Sequence, residues 1–404
     1  MSNNFLTESE ARILVEEYME KNDSKKSVTT QEILDSGAVP RLKGYVVRPG
    51  KVSGSVFGGK GSFTTEQKNY EANKLEADHN VETFTEKVDG KDVIMAQVYF
   101  ENPPVELRDG TPVRGMVRSE DISTHDQKRG SIPFKDQILA MNHNYMRKLA
   151  APYIGTSQFE IKGLSDNSPV IAAENLVQIS LENVMRAFMA KSSTKTSLYY
   201  NYMKGKRDFC GHKLPEGLIQ NGPLPYVMDT PSTKSDKHDE SVSPATLFKR
   251  GICTPSQYFE IRNNSLIFYG VASYVLSKGG IILVDTKLEH GISVDGKIKS
   301  QDEIITMDSS RFWLAKDYNE QMEKLIRGEI TVLNPASYSK EFARGYSKGK
   351  EGYTQEQRAA IAVRYIMGVQ ELLKQPFNPD VRSAEERIVR GLELVVNNLD
   401  LKAA

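Results

Sequence analysis

One stretch constrains this chain more than any other: Gly279 to Trp313, GGIILVDTKLEHGISVDGKIKSQDEIITMDSSRFW. Behind two glycines runs an apolar segment, Ile281 to Val284, which reads as a buried strand. Charge then enters at alternate positions. Strand side chains alternate faces, so Asp285, Lys287 and Glu289 share one face while Thr286 and Leu288 take the other. Asp295-Gly296 follows, a dipeptide that favours a two-residue hairpin turn. With Val294 and Lys297 flanking that turn, Ile292 faces Lys299 and Glu289 faces Asp302. Like charges directly opposite each other are destabilising, so the pair asks for a cation. Carboxylates that also meet phosphates are the usual seat of Mg²⁺. The plain alternative is a solvated hairpin with scattered surface charge.

Composition narrows the rest. A chain of 404 residues can bury a large core in two or three domains. Its 53 basic and 53 acidic side chains balance, which gives no argument for nucleic-acid or membrane partners. The two cysteines, Cys210 and Cys253, make neither a disulfide framework nor a metal spacing and suit a reducing cytoplasm. The first residues are acidic and amphipathic, unlike a signal peptide. No apolar run approaches the ~20 residues of a membrane span.

In chain order, residues 7–22 predict a helix with Thr7 as cap and Glu10 three residues on; a second short helix starts near Thr30. Residues 45–63 read as a strand entering a glycine-rich phosphate loop. The run Gly54-x4-Gly59-Lys60 is not a Walker motif, because Gly61 stands where the metal-binding hydroxyl belongs. Residues 64–112 look like an insertion. A helix is expected over roughly 136–149 and an apolar strand within 172–193. On pattern alone Arg186, near that strand's end, is an ordinary salt-bridge arginine. His125 reads as a loop histidine, with no second ligand at a metal spacing. Residues 210–243, rich in Pro, Gly, Ser and charge, read as a long irregular loop. Thr254, Pro255 and Gln257 open a helix that Gly279 ends; Thr354/Gln357 and Ser383/Glu386 open two more.

Several of these segments resemble one family. VDTKLEHG with DEIITMDSSRFW is similar to the paired D-x-K-x-E-x-G and D-E-x-x-T-x-D-S-S-R signatures of SAICAR synthetase. CGHKLPEGL, TPSTKSDKHDES and SYSKEFARGY resemble further segments of it. EDISTHD and SIPFKDQIL are similar to its D-R-I-S-A-F-D and I-P-G-K-G segments, with Asp121 for the arginine and Phe134 and Asp136 for the two glycines. Gly50-Lys51-Val52 resembles the opening of its G-K-V-R-D hairpin, with Ser53 and Gly54 for Arg-Asp. The resemblance runs over roughly residues 45–375.

The resemblance implies a two-lobed α+β fold, related to ATP-grasp and kinase-like architectures, with ATP between the lobes. The divisions expected are a helical appendage over 1–42, a nucleotide lobe over 43–175 and a substrate and catalytic lobe over 176–404. The implied enzyme is a cytoplasmic ligase of purine biosynthesis, monomer or small homo-oligomer. It joins carboxyaminoimidazole ribonucleotide (CAIR) to L-aspartate using ATP and Mg²⁺. Asp285, Lys287, Lys234 and Asp239 would be catalytic, His238 less so. Arg186, Ser192, Ser310, Arg311, Lys340 and Arg344 would hold substrate. Gly50, Lys51, Val52, Lys135 and Glu289 would meet the nucleotide, and Glu289 with Asp302 the metal. Two other readings stand beside it: a small-molecule kinase on the same scaffold, and a nucleotide-binding paralogue without turnover.

Overall fold

The computed structural model describes residues 4–22, 28, 30–42, 45–49, 91–96, 106–124, 127–192, 194–234, 240–338, 340–346 and 351–400. Gly50, Lys51, Val52, Ser53, Gly54, His125, His238, Asp239 and most of the 64–112 segment lie outside these residues.

The chain opens with helices α1 (Glu8–Asn22) and α2 (Thr30–Asp35) and strands β1 (Tyr45–Pro49), β2 (Lys91–Ala96) and β3 (Val113–Arg118). The hairpin β4 (Asp121–Thr124) and β5 (Gln127–Ser131) leads into α3 (Lys135–Ala150), then β6 (Val170–Glu174) and β7 (Val177–Phe188). Next come α4 (Leu198–Met203), β8 (Asp208–Phe209), β9 (His212–Lys213), β10 (Pro223–Asp229), β11 (Ser232–Thr233) and α5 (Pro244–Lys249). The long α6 (Pro255–Lys278) feeds β12 (Ile281–Ile292), β13 (Ile298–Gln301) and β14 (Ser310–Leu314). Helices α7 (Ala315–Ile326), α8 (Glu341–Gly345), α9 (Gln355–Leu373) and α10 (Ala384–Asn398) follow. Among the described residues no helix is long and apolar enough to cross a membrane.

Two antiparallel sheets organise this α+β fold. The first has the order β1-β2-β3-β6. The second has the order β10-β7-β12-β13, with β14 also on β12 and β11 on β7. The second sheet stands on α6, whose inward residues Phe268, Ala272 and Leu276 share a core with Met185 of β7 and Leu283 and Leu288 of β12. Thr254 closes the expected capping box with Gln257, and Thr354 and Ser383 do the same for α9 and α10. The first sheet buries Val113, Val117, Val170 and Ala172 against α2 and α10.

Two local readings differ from the sequence expectation. The turn after β12 holds three residues, Val294-Asp295-Gly296. It closes with Ser293 N–H to Lys297 O and Gly296 N–H to Ser293 O, both at 2.9 Å, and has Gly296 at φ +79°. Three-residue hairpin loops end on such a left-handed glycine. The register therefore slips by one: Ile292 pairs with Ile298, not Lys299, and Glu289 pairs with Gln301, not Asp302. Second, the stretch read as one long irregular loop contains a strand, for β10 joins the second sheet beside β7. Pro223 and Pro225 hid it; an edge strand tolerates prolines that an inner strand does not.

Where β12 meets β7 the backbones crowd at Gly291. A Cβ there would lie 2.6 Å from Cβ of Leu176 and 2.9 Å from Val177 O. Gly291→Ala is expected to destabilise the protein by about 1–3 kcal/mol through overpacking. Denaturant titration checks it; a midpoint equal to wild type's would show that β7 yields freely.

Candidate active site

The alternating charge of β12 and the matching alternation of β7 face one cavity of about 340 Å³. Asp285 and Lys287 reach it from β12, and Glu182, Val184 and Arg186 from β7. The turn and strand after β13 add Asp308, Ser310 and Arg311, and the α8 region adds Lys340 and Arg344. Ser192, Thr194 and Ser197 close it after β7. The lining carries five cations (Arg186, Lys287, Arg311, Lys340, Arg344) against three carboxylates (Glu182, Asp285, Asp308). Such a surplus suits an anionic ligand.

Asp285 is the most tightly held group. Arg311 grips it with two nitrogens, Nε lying 3.0 and 3.2 Å from the two oxygens, and Arg186 Nη1 donates at 3.1 Å. Arg186 Nε also donates to Thr230 at 2.9 Å, and Arg311 Nη1 to the Lys191 carbonyl at 2.9 Å. Burial alone would raise the Asp285 carboxyl, but Arg311 and then Arg186 outweigh it and hold it below the ordinary value. Burial also draws the Arg186 guanidinium down, with Asp285 opposing.

A second chain of charge runs along the same face. Lys287 Nζ donates to Glu182 at 2.7 Å and to Glu289 at 3.1 Å, and Lys234 pairs with the other Glu289 oxygen. Burial would lower the Lys287 ammonium, yet Glu289 and Glu182 raise it well above its usual value. Arg114 of β3 is buried near both Asp302 and Glu289, whose charges oppose the fall that burial imposes on it.

Elsewhere in the lining, Asp308 takes Lys135 Nζ at 3.0 Å and the Tyr365 hydroxyl at 2.5 Å, with Lys340 Nζ farther off at 3.7 Å. Burial would raise the Asp308 carboxyl, but Lys135 and Lys340 hold it far below. For Lys340 burial wins over Asp308 and its pKa falls. The asymmetry follows the distances: Asp308 is matched chiefly by Lys135, so Lys340 remains short of negative charge in the cavity wall.

The structure thus brings Arg186, Ser192, Asp285, Lys287, Ser310, Arg311, Lys340 and Arg344 into one cavity. Lys234 and Glu289 adjoin it through Lys287, and Lys135 through Asp308. Asp302 sits past the end of β13 at φ +62°, not in the paired position opposite Glu289. Sequence reading passed over Glu182, which its spacing of four from Arg186 on one strand already puts on the same face. It also passed over Asp308, although the residue lies within the D-S-S-R signature. Among the described residues no three His, Cys, Asp or Glu side chains are grouped to hold a metal.

The SAICAR synthetase family model matches residues 109–360. This chain belongs to the SAICAR synthetase family. Every residue lining the cavity falls inside that match, whereas α1, α2 and α10 fall outside it. The chain is 35% identical over 236 residues to the chloroplastic phosphoribosylaminoimidazole-succinocarboxamide synthase of Arabidopsis thaliana, covering 58% of this chain and 54% of that one. With the synthase of Cytophaga hutchinsonii it shares 33% identity over 290 residues, covering 69% and 88%. The match spans only 54% and 65% of the lengths of the two plant relatives, from Arabidopsis thaliana and Vigna aconitifolia. A solved SAICAR synthase from Saccharomyces cerevisiae, complexed with SAICAR, superposes with a TM-score of 0.57 at 21% identity, covering 72% of this chain and 94% of that one. That likeness establishes the fold. In SAICAR synthetase terms, the D-x-K-x-E signature is β12 and D-S-S-R opens β14, and the cavity lies where β12 pairs with β14 on one side and β7 on the other.

Proposed function

We propose that this chain is an ATP-dependent ligase that joins CAIR to L-aspartate, giving SAICAR, ADP and phosphate. The observation that carries the reading is the cationic cavity built around an Asp285 held by two arginines. Family membership and the names of the relatives support it. A carboxylate does not accept an amine without activation. In the proposed reaction a carboxylate oxygen of CAIR attacks the γ-phosphorus of ATP and ADP leaves. The aspartate amine then attacks the acyl carbon, loses a proton and expels phosphate. Arg186, Ser192, Ser310 and Arg311 would hold the ribotide phosphate, for which guanidinium forks are suited. Lys340 and Arg344 would meet substrate carboxylates. Lys287 and Lys234 would stabilise the transferring phosphoryl group, and Asp239 would face the incoming aspartate.

ATP is proposed as the nucleotide, with Lys51, Gly50 and Val52 over its phosphates. Mg²⁺ fits the donor set in one way only. Glu289 and Asp302 are too few for an all-protein cage, but an ion carried in on phosphates needs only one or two carboxylates. Bound there, it would neutralise charge on the phosphates; Lys234 would have to release Glu289 for it. We place the enzyme in the cytoplasm, as a monomer or small homo-oligomer acting on small molecules, consistent with its two free, buried cysteines.

The test is an assay of purified protein with CAIR, aspartate and Mg·ATP, following SAICAR and ADP. ADP release that needs aspartate supports the ligase. Release without aspartate makes it a kinase, and nucleotide binding without either product makes it a non-catalytic relative. Within the ligase reading, Arg186→Ala is expected to raise the KM for CAIR far more than that for ATP, by the roughly 1.5–3 kcal/mol of one charge-assisted contact. Equal changes in both constants would refute the assignment of Arg186 to the ribotide.

A further inference from the structure

A dense cluster of buried charge outside the cavity lies where α1 and α10 meet the start of α3. Arg387 of α10 donates through Nη2 to Glu120 and to Asp136, each at 2.9 Å, and through Nη1 to the Tyr18 hydroxyl of α1 at 3.0 Å. The Tyr18 hydroxyl in turn donates a hydrogen bond to Glu120 at 3.0 Å. Glu120 also accepts the Phe134 N–H at 2.9 Å. Phe134 has φ +62°, a left-handed backbone that a bulky residue seldom adopts. Its buried ring packs 4.3 Å from the Tyr18 ring, centroid to centroid. The next residue is Lys135, 2% exposed, whose ammonium holds Asp308 in the cavity wall.

Phe134 and Asp136 stand where the family motif has glycines, and Tyr18 and Arg387 lie outside the family match. The departures and the terminal helices are therefore two halves of one device. A left-handed turn that glycine would adopt unaided is here clamped from outside. Removing the arginine leaves two buried carboxylates facing each other; burial and the Asp136 charge already push the Glu120 carboxyl up, with Arg387 opposing.

We infer that Arg387 is a positioning residue: by clamping Glu120 and Asp136 it fixes the turn over residues 134–136 and so the hold of Lys135 on Asp308 in the cavity. The substrate expected to feel this is CAIR: the pairing of Lys135 with Asp308, beside Lys340 in the cavity wall, moves Lys135 from the nucleotide, where the resemblance put it, to the substrate side. That part of the inference rests on the ligase reading; the clamp itself does not.

The experiment has two arms on full-length protein. In the first, without substrate, an amine-reactive label is applied and its rate at Lys135 is read by mass spectrometry. The variants are Arg387→Met, Arg387→Lys and the charge-neutral triple Glu120→Gln/Asp136→Asn/Arg387→Met. Labelling of Lys135 is expected to rise roughly tenfold or more in Arg387→Met and in the triple variant as the turn opens locally, and to return towards wild type in Arg387→Lys. In the second arm, KM for CAIR is expected to rise roughly 10–100-fold while KM for ATP moves by less than about twofold, as a misplaced site group predicts. A folded triple variant with wild-type protection of Lys135 overturns the inference, whatever its melting temperature. If neither Arg387→Met nor the triple variant folds, Asp136→Asn decides. It removes one of the two charges that Arg387 clamps, and wild-type protection there also overturns the inference. If wild type makes no SAICAR, the ligase reading fails and the labelling arm still judges the clamp.

Discussion

Asp285→Ala is expected to cost about 3–5 kcal/mol of stability, the price of breaking a buried ion pair by removing one partner. The carboxylate side chain is 7% exposed and its arginines 14% and 15%. Without it, Arg186 and Arg311 would face each other as like charges. Their repulsion already registers, since Arg311 adds to the fall in the Arg186 pKa. A denaturant titration at neutral pH reads the loss, and turnover should vanish with it. Phosphate added to the variant should recover part of the midpoint, because an anion can replace the missing carboxylate. The pH dependence follows from the sign of the shift. Asp285 titrates below its ordinary value in the folded protein. Its contribution is therefore complete above about pH 4 and disappears as the pH falls through that lower folded value. The acid limb of the wild-type stability curve should accordingly flatten in the variant. A variant as stable as wild type would mean the two arginines find other partners, and the cavity's central contact would be dispensable.

The second large effect is expected at Glu289, and here the structure reverses the sign read from the sequence. With Glu289 set against Asp302, an amide at either position should relieve repulsion in the ligand-free protein. With Glu289 against Gln301 and held by Lys234 and Lys287, the amide instead takes away the carboxylate that pairs Lys234 and one of the two that hold Lys287. Glu289→Gln should thus lower the ligand-free stability by about 1.5–3 kcal/mol, the worth of hydrogen bonds to charged groups. Asp302→Asn should lower it too: asparagine tolerates the left-handed backbone there, but the amide removes the charge that chiefly opposes the burial of Arg114. On the proposed function, both variants should lose the stabilisation that Mg·ATP would confer on wild type by mass action, about 2.7 kcal/mol at a hundredfold excess over Kd. Thermal melts with and without Mg·ATP separate the two effects. Full retention of the Mg·ATP shift in both variants would remove the carboxylates from the nucleotide site.

These two residues also mark what could be read from the chain. The period of β12 put Asp285, Lys287 and Glu289 on one face, and the structure places the first two in the cavity and the third beside it. Local chemistry of this kind is legible because it depends on neighbours a few residues apart. The capping boxes of α6, α9 and α10 were legible for the same reason. The hairpin register was not, since one extra residue between Ser293 and Lys297 moves every pairing. Nor were the partners of the charges. Arg186 reads as a salt-bridge arginine on pattern, but its partner Asp285 lies 99 residues away. Lys135 and Asp308 meet only because α3 and the turn before β14 pack against the same core. The strand β10 escaped because its prolines sit on an edge, a position that only tertiary structure defines.

The Tyr18–Arg387 contact spans 369 residues. A ribosome adds roughly 5–20 residues per second, so the two side chains are made about 20–70 s apart. Every residue that lines the cavity is synthesised between them. A nascent chain can therefore finish β7, β12 and β14 and still lack the arginine that sets Lys135. Loop closure over so long a span adds little thermodynamic cost beyond that of a shorter one. Its consequence is one of timing: α10, made after every residue of the cavity, is the helix that completes the turn before α3, and the cavity wall it fixes is in place only once translation has passed Arg387.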